Sequence, residues 1–260
     1  MSALLPELSL TGIAFWAPGH DDLVRLAAGD CSADPAIKAP KAEILPARLR
    51  RRCSLLTRMS AEVVAKASAE AAIDTSSATV ILASVYGEIR TTGQLLVMMA
   101  EEPGSPLSPT RFHNSVHNTP IGYLSIACKN HCGSTAISAG PRTLAMAMLE
   151  AATVIAAGEG PVVVVLVEEP LPEGLAMDRG TYDGLAVAFV VEAARDAGIR
   201  VRLGRAASAH PLPEIPENIA GNPCANAVAV ATALIAGMTS IPLEPPAHPP
   251  GDIWLLEVGR

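Results

Sequence analysis

The segment Pro161–Glu168 (PVVVVLVE) constrains the fold more than any other part of the chain. Its valines and leucine run without alternation, so a strand built from them is apolar on both faces. Such a strand must be covered on both faces, which is the signature of a sheet sandwiched between helical layers. Leu8–Trp16, Ala78–Val85, Gly184–Glu192 and Ile253–Val258 read as further strands, and Ser134–Ser138 as a short one. Gly184–Glu192 and Ile199–Arg205, flanking Asp196–Gly198, read as an antiparallel pair. Helical patterns fall between them at Ser60–Ile73, Thr91–Ala100, Thr119–Cys128, Pro141–Ala157 and Asn222–Met238, with Pro141 suited to a first helical position. Ala17–Pro46 reads as an irregular excursion and Glu101–Pro109 as a loop. The expectation is an α/β layered fold with a largely buried mixed sheet flanked by helices. No short-period repeat and no dividing linker interrupts it, so residues 1–260 read as one domain.

Composition narrows the function. With a net charge of −7 and only 3% aromatic residues, the chain offers neither the cationic surface nor the stacking platforms of a nucleic-acid binder. The most apolar windows are Thr143–Gly158, interrupted by Glu150, and Ala225–Met238, which is short of the ~20 residues that cross a bilayer. Met1–Leu10 has no basic region followed by an apolar one. The five cysteines, Cys31, Cys53, Cys128, Cys132 and Cys224, form no regular framework. Reduced thiols in a cytoplasm are expected.

No phosphate-binding or dinucleotide loop and no G-x-S-x-G elbow is present. His113-x3-His117, followed by Cys128, His131 and Cys132, has metal-ligand residue types but not a common zinc spacing, and no metal is expected. Cys128 or Cys132 could instead be a nucleophile with His113, His117 or His131 as base, which would make a stand-alone acyltransferase or hydrolase. Small core side chains are the plainer reading. Arg48, Arg50, Arg51, Arg52 and Arg58 form the one basic cluster. It is either a solvated face before a helix or a docking patch for an acidic partner, such as a phosphopantetheine-bearing carrier protein.

Asn118-Thr-Pro-Ile-Gly122-Tyr-Leu-Ser125-Ile126 resembles the N-x-x-x-G-x-x-S-I/M stretch of β-ketoacyl synthases. Gly133–Gly140, a helix, the strand Val162–Val167 and Gly184–Glu192 follow in the order of the N-terminal half of the thiolase-like fold. Ser115–Asn118, Arg50–Met59 and Glu168–Glu173 look like the short, chain-length-factor-like members found beside aryl-polyene and type II polyketide genes. The likeness covers residues 8–205, and 206–260 would be a shortened C-terminal part packing on the core. In the family a cysteine nucleophile opens the helix after the short strand. Here that position is Pro141 or, with a gap, Ile137, and neither can be acylated. The family's histidine pair has no counterpart either. His210 and His248 stand in Pro-rich context, and Asn222 stands where a histidine would.

The resemblance thus implies a non-catalytic partner of an active β-ketoacyl synthase in polyketide or fatty-acid-type chain elongation, with no cofactor. An acyl carrier protein would be a second partner. The surface from Phe112 to Ser138 would be the heterodimer interface. Phe112, Tyr123 and Ile126, with His113, His117, Asn118 and Gly122 around them, would shape the acyl tunnel.

Overall fold

A computed structural model gives the arrangement of residues 5–176, 181–207, 210–245 and 252–259. In chain order the elements are β1 (Leu8–Trp16), α1 (Leu23–Ala27), α2 (Ala47–Arg50), α3 (Leu55–Glu70), β2 (Thr79–Ala83), α4 (Ile89–Glu101), α5 (Pro109–His113), α6 (Thr119–Cys128), β3 (Ser134–Ile137), α7 (Thr143–Ala156), β4 (Val162–Glu168), α8 (Glu173–Ala176), β5 (Leu185–Ala193), β6 (Ile199–Ala206), α9 (Glu217–Ala220), α10 (Ala225–Ile235), β7 (Ser240–Pro242) and β8 (Ile253–Val258). The strands form one eight-stranded mixed sheet in the order β3-β2-β4-β5-β1-β6-β8-β7. β3, β2 and β4 run parallel, and every other pairing is antiparallel.

The alternation of β4 sorts the core into two layers. Val162, Val164 and Leu166 join the cluster under α7 and α10. Val163, Val165 and Val167 join the cluster under α3 and α6. The chain passes from β2 to β3 through α4–α6 on one side. It returns from β3 to β4 through α7 on the other, crossing over β2. Two parallel crossovers that step in opposite directions must lie on opposite faces if both keep the right-handed sense. α3 starts at Leu55, five residues ahead of the expected start, because the Ser54 hydroxyl accepts the Thr57 N–H at 3.0 Å as its N-cap. The excursion after β1 contains one short helix, α1, whose Leu23 and Leu26 are buried in the α7/α10 cluster. α10 and β7–β8 complete the same layer and the same sheet.

The expected pairing of the fifth and sixth strands does not form. β1 lies between them, pairing Leu8 with Ala193 on one side and with Val201 on the other. β5 and β6 therefore run in the same direction, and the chain crosses over the first residues of β1, where Arg195 bonds Ser9, and enters β6 through Gly198. That residue has a left-handed backbone, with φ at +87°, and a Cβ there would stand 2.4 Å from the Leu10 carbonyl oxygen. A turn signal between two β-prone runs reads as a hairpin in sequence, and only long-range pairing distinguishes a crossing from it. Helix α7 also departs slightly from expectation. Gly140–Arg142 forms a 3-10 turn, and α7 itself begins at Thr143.

Gly198→Ala should destabilise the protein by about 2–3 kcal/mol, combining left-handed strain with the collision at Leu10. Equilibrium urea unfolding of the variant beside the wild type measures this. Gly29→Ala also sits at positive φ, but nothing lies within 4 Å of its added Cβ. It should cost clearly less.

Candidate functional site

The C-terminal ends of β2, β3 and β4 meet at one place, because Ala83 is level with both Ile137 and Leu166. Crevices outside the carboxyl ends of parallel strands are where α/β sheets place their sites. The turn after β3 is built from Ser138 to Arg142. The Ser138 hydroxyl donates to the Val85 carbonyl at 2.9 Å, and the Thr143 hydroxyl donates to the Gly140 carbonyl at 2.8 Å. Pro141 is exposed on this turn, and Ile137 packs partly buried against the α7/α10 cluster. Neither carries an atom that could take an acyl group. Arg142 forms a 2.9 Å ion pair with Glu244, whose side chain is 3% exposed. Glu244 in turn accepts the Trp254 N–H at 2.8 Å, so this turn is clamped to β8.

Three buried carboxyl groups underlie the same end of the sheet: Glu88, Glu168 and Glu169. Glu168 Oε2 accepts the N–H groups of Val85 and Tyr86 at 2.7 and 3.0 Å and the Ser84 hydroxyl at 3.1 Å. Among the described residues its Oε1 has no hydrogen-bond partner. Glu169 accepts the Arg90 N–H at 3.0 Å. Glu88 accepts the hydroxyls of Ser54 at 2.6 Å and Thr57 at 3.1 Å, tying the loop before α4 to the start of α3. Burial pushes Glu168 and Glu169 up to about 7, against the pull of their backbone donors, and it raises Glu88 as well. Glu88 and Glu168 also raise Glu169 by like-charge repulsion. The Arg90 charge pulls Glu169 the other way but does not outweigh burial, and protonation lets such groups persist in the interior. Reading the residues in order does not reveal these acids as a cluster. The available signal is a Glu-Glu pair ending a fully apolar strand.

Of the expected site residues, His117 belongs to this end of the sheet. Burial lowers its basicity, against an opposing pull from the Ser84 backbone, and among the described residues its buried Nε2 has no hydrogen-bond partner. Cys128 and Cys132 lie at the opposite end. They line a cavity of about 20 Å³ beside Asn130 and the start of β3, room for about one water. α6 runs antiparallel to β3, so its first turn is near His117 and its last holds Cys128. The fold therefore separates both thiols from His117 by the length of that helix, ten residues or about 15 Å. His113 is exposed, edge-on to Tyr123 at 6.4 Å, and His131 is exposed next to Cys132. Among the described residues, no group of three or more His, Cys, Asp or Glu could hold a metal ion. Buried Cys224 and half-buried Cys53 have thiols pushed up, mainly by burial. His210 is exposed, and His248 lies outside the described residues.

The expected interface residues divide. Phe112 is 61% and Ile126 70% exposed. Asn118 and Gly122 are exposed on the same α6 face as Ile126, and a Cβ at Gly122 would meet nothing within 4 Å. Tyr123 is turned inward, its hydroxyl donating to Asn114 Oδ1 at 2.9 Å, so it lies beneath that surface. β3 is an edge strand with one side unpaired. In the basic cluster, Arg48, Arg51 and Arg52 are exposed. Arg50 donates to the Lys41 carbonyl at 2.8 Å, and Arg58 to the Ser54 carbonyl at 3.4 Å. Among the described residues none of the five pairs with a carboxylate. Asn114 donates to the Arg52 carbonyl at 3.2 Å and joins this segment to α5.

Layered sheet, parallel trio and turn together define a condensing-enzyme fold of the thiolase-like type. The chain belongs to the family described as beta-ketoacyl synthase, N-terminal domain, whose model matches residues 28–244. A chain of the ketosynthase (ApeO) in complex with its chain length factor (ApeC) from Xenorhabdus doucetiae is similar with a TM-score of 0.74 and 22% identity, over 98% of this chain and 100% of that one. The ishigamide ketosynthase/chain length factor is similar at 0.59 and 19%, over 77% of this chain and 67% of that one. A chain of the AntDE:AntF complex, a type II polyketide synthase acyl-carrier protein with its ketosynthase, is similar at 0.68 and 12%, over 98% and 99%. Among curated proteins, no sequence matches this chain.

Because Glu168 and Glu169 sit near 7 rather than near their ordinary 4.5, the folded state holds protons that the unfolded state has lost. Their contribution is fully present below about 4.5 and is lost as pH rises through about 7. Glu169→Gln should flatten the fall in stability between those limits by a few kcal/mol at most, since each pH unit between the folded and unfolded pKa values corresponds to about 1.4 kcal/mol. Urea midpoints at a series of pH values, for wild type and variant, check it. A parallel fall in both proteins would refute the assignment.

Proposed function

We propose that this chain is a non-catalytic, chain-length-factor-like partner of an active β-ketoacyl synthase, acting in polyketide or polyene chain elongation as one ketosynthase-like domain. The observation that carries this reading is the unpaired edge of β3 beside the exposed apolar side chains Phe112, Val116 and Ile126. An open strand edge and contiguous apolar surface are liabilities in a monomer, and partner burial removes both. Family membership supports the reading, as do structural neighbours that are complexes of ketosynthases. Ile137 at the end of β3 and Pro141 in the turn after it agree with a chain that leaves acyl transfer to its partner.

In this reading the α6 face of Asn118, Gly122 and Ile126, with Phe112 from α5, packs against the ketosynthase and helps to close its acyl tunnel. Gly122 makes sense there. A mid-helix glycine costs about 1 kcal/mol relative to alanine, and no neighbour among the described residues requires it. A partner approaching the helix closely would. The exposed guanidinium groups of Arg48, Arg51 and Arg52 would meet an acidic carrier protein, and the expected compartment is the cytoplasm.

Co-expression with a ketosynthase encoded beside it should give a stable one-to-one complex by size exclusion and intact mass. Ile126→Asp should weaken association about tenfold or more if that side chain is central. A monomer or homodimer that ignores the ketosynthase would overturn the reading. Within a complex that still forms, Gly122→Leu and Phe112→Trp should shorten the products read by mass spectrometry. Unchanged lengths across the series would reduce the chain to a structural subunit.

A further inference from the structure

The segment Ser84–Arg90 joins β2 to the first turn of α4, and its shape depends on side chains from the end of β4. The N–H groups of Val85 and Tyr86 and the Ser84 hydroxyl all donate to one oxygen of Glu168, and the Arg90 N–H donates to Glu169. The Gly87 N–H donates to the Ser84 hydroxyl oxygen at 2.8 Å, so it too depends on Glu168 through that residue. Glu88, within the segment, is held by the hydroxyls of Ser54 and Thr57. The helix that follows adds little, because only Gly93 and Leu95 of its thirteen residues are buried. Segments with few buried apolar contacts are where local opening occurs. The carboxyl groups are therefore a principal attachment of the start of α4 to the sheet.

Glu88, Glu168 and Glu169 are each at most 1% exposed. An ionised carboxylate is costly to bury unless a cation pairs with it. Among the described residues none of the three takes part in a salt bridge. The Arg90 charge acts on Glu169, and Glu88 and Glu168 oppose it. The other titratable neighbours are Cys53 beside Glu88, with Arg58 acting on that thiol, and Cys224 beside Glu168. Burial pushes both thiols up, so they stay protonated where the acids titrate. His117 lies against the segment itself, since a Cβ at Gly87 would stand 2.9 Å from its Nδ1.

We propose that Ser84–Arg90 is a proton-operated latch: with the acids at the end of β4 neutral it is held closed on the sheet, and with them ionised it lifts away and frees the first turn of α4. The Ser138 hydroxyl donates to the Val85 carbonyl, so release also loosens the turn after β3. In the closed latch Glu168 and Glu169 titrate at about 7, and in water such groups titrate at 4.5. Rising pH therefore favours release between those limits and adds nothing above them. The ceiling is about tenfold in the opening equilibrium per pH unit and per carboxyl group. His117 works with the opposite sign. Burial lowers its basicity, so falling pH favours release through it and can only shrink the change. The inference goes beyond pairing with a ketosynthase, does not depend on it, and concerns local release rather than unfolding.

Amide exchange of the full wild-type chain, followed by NMR and corrected for its intrinsic pH dependence, reads the latch at Val85, Tyr86 and Arg90. Protection there should fall about a hundredfold between about pH 5 and about pH 7.5. That exchange should depend little on urea below the unfolding transition, whereas amides of β4 and β5 should follow urea as globally protected groups do. Glu168→Gln and Glu169→Gln keep an acceptor oxygen but cannot ionise, and each should cut the fall by about tenfold. His117→Gln should leave the fall in place or steepen it. A flat wild-type profile would overturn the proposal. So would Val85 and Tyr86 amides that exchange only in step with β4 and with urea, since no local release would then exist. A fall unchanged in both glutamate variants, or abolished in His117→Gln, would overturn it as well. The wild-type measurements need no variant, so they decide the matter even where a substitution prevents folding.

Discussion

Strand β4 is the constraint on which the other layers depend. Every residue from Val162 to Glu168 is fully buried, and β4 pairs in parallel with β2 and antiparallel with β5. No solvent-facing side remains, so helices must cover both faces and strands both edges. The parallel partner requires a crossover, which places α7 over one face. The antiparallel partner ends the parallel trio and hands the sheet to β5 and β1. The last residue, Glu168, extends the same burial into the loops. Its carboxyl group collects two backbone N–H groups and a hydroxyl from Ser84–Tyr86, and Asn222 donates to its carbonyl at 3.3 Å. The core strand thereby fixes the shape of the loops at the site end of the sheet. A buried acid is costly unless it is bonded or neutral, and here it is both bonded and readily protonated.

The turn after β3 carries no acylatable side chain at Pro141. A helix N-terminus stabilises a thiolate through its free N–H groups and positive dipole end. Pro141 has no N–H to offer, and Arg142 directs its charge to Glu244 rather than to an open pocket. Placing the thiols at the far end of α6 has an equally simple cause. Cys128 ends the helix, and Lys129 takes the left-handed conformation, at φ +52°, that reverses the chain into β3. Residues close in sequence, His117 and Cys128, are thus held at opposite ends of one rigid rod.

Much of this was legible in the sequence. β1, α6 and β8 form with the boundaries their patterns indicate, because each is bounded by proline, glycine or polar residues and filled by apolar ones. What stayed hidden depends on long-range geometry. Gly184–Glu192 and Ile199–Arg205 look like a hairpin, and nothing local reveals that Leu8–Trp16 inserts between them. α5 and β7, at five and three residues, are too short for periodicity to register. The acid cluster is assembled from separate segments and becomes visible only once they meet. Tyr123 follows the helical pattern of a surface candidate, but its hydroxyl reaches Asn114 and turns the ring inward. For the candidate surface, Phe112 and Ile126 were legible as residue types, but their exposure depends on what the rest of the chain fails to cover.

That failure is unevenly distributed. Of the nine large apolar side chains that stand exposed among the described residues, six lie between Leu96 and Ile126. Scattered exposed leucines and valines are normal on any protein and carry no message. Concentration in one segment is different, because the chain from Leu95 to Ile126 supplies only Leu95, Ile121, Tyr123 and Leu124 as buried large apolar residues. α7 and α10, by contrast, bury nearly every side chain facing the sheet. The chain is half hydrophobic, so material for covering this region is not scarce. Apolar residues kept in water on one side, while the other side buries its own, are the pattern that the proposed partner would cover. The groove between α4 and α8, lined by Leu96, Val97 and Leu175, belongs to that side. Glu168 and its hydrogen-bond donors come from within this chain. The layer of α4, α5 and α6 is where, among the described residues, large apolar side chains stay uncovered.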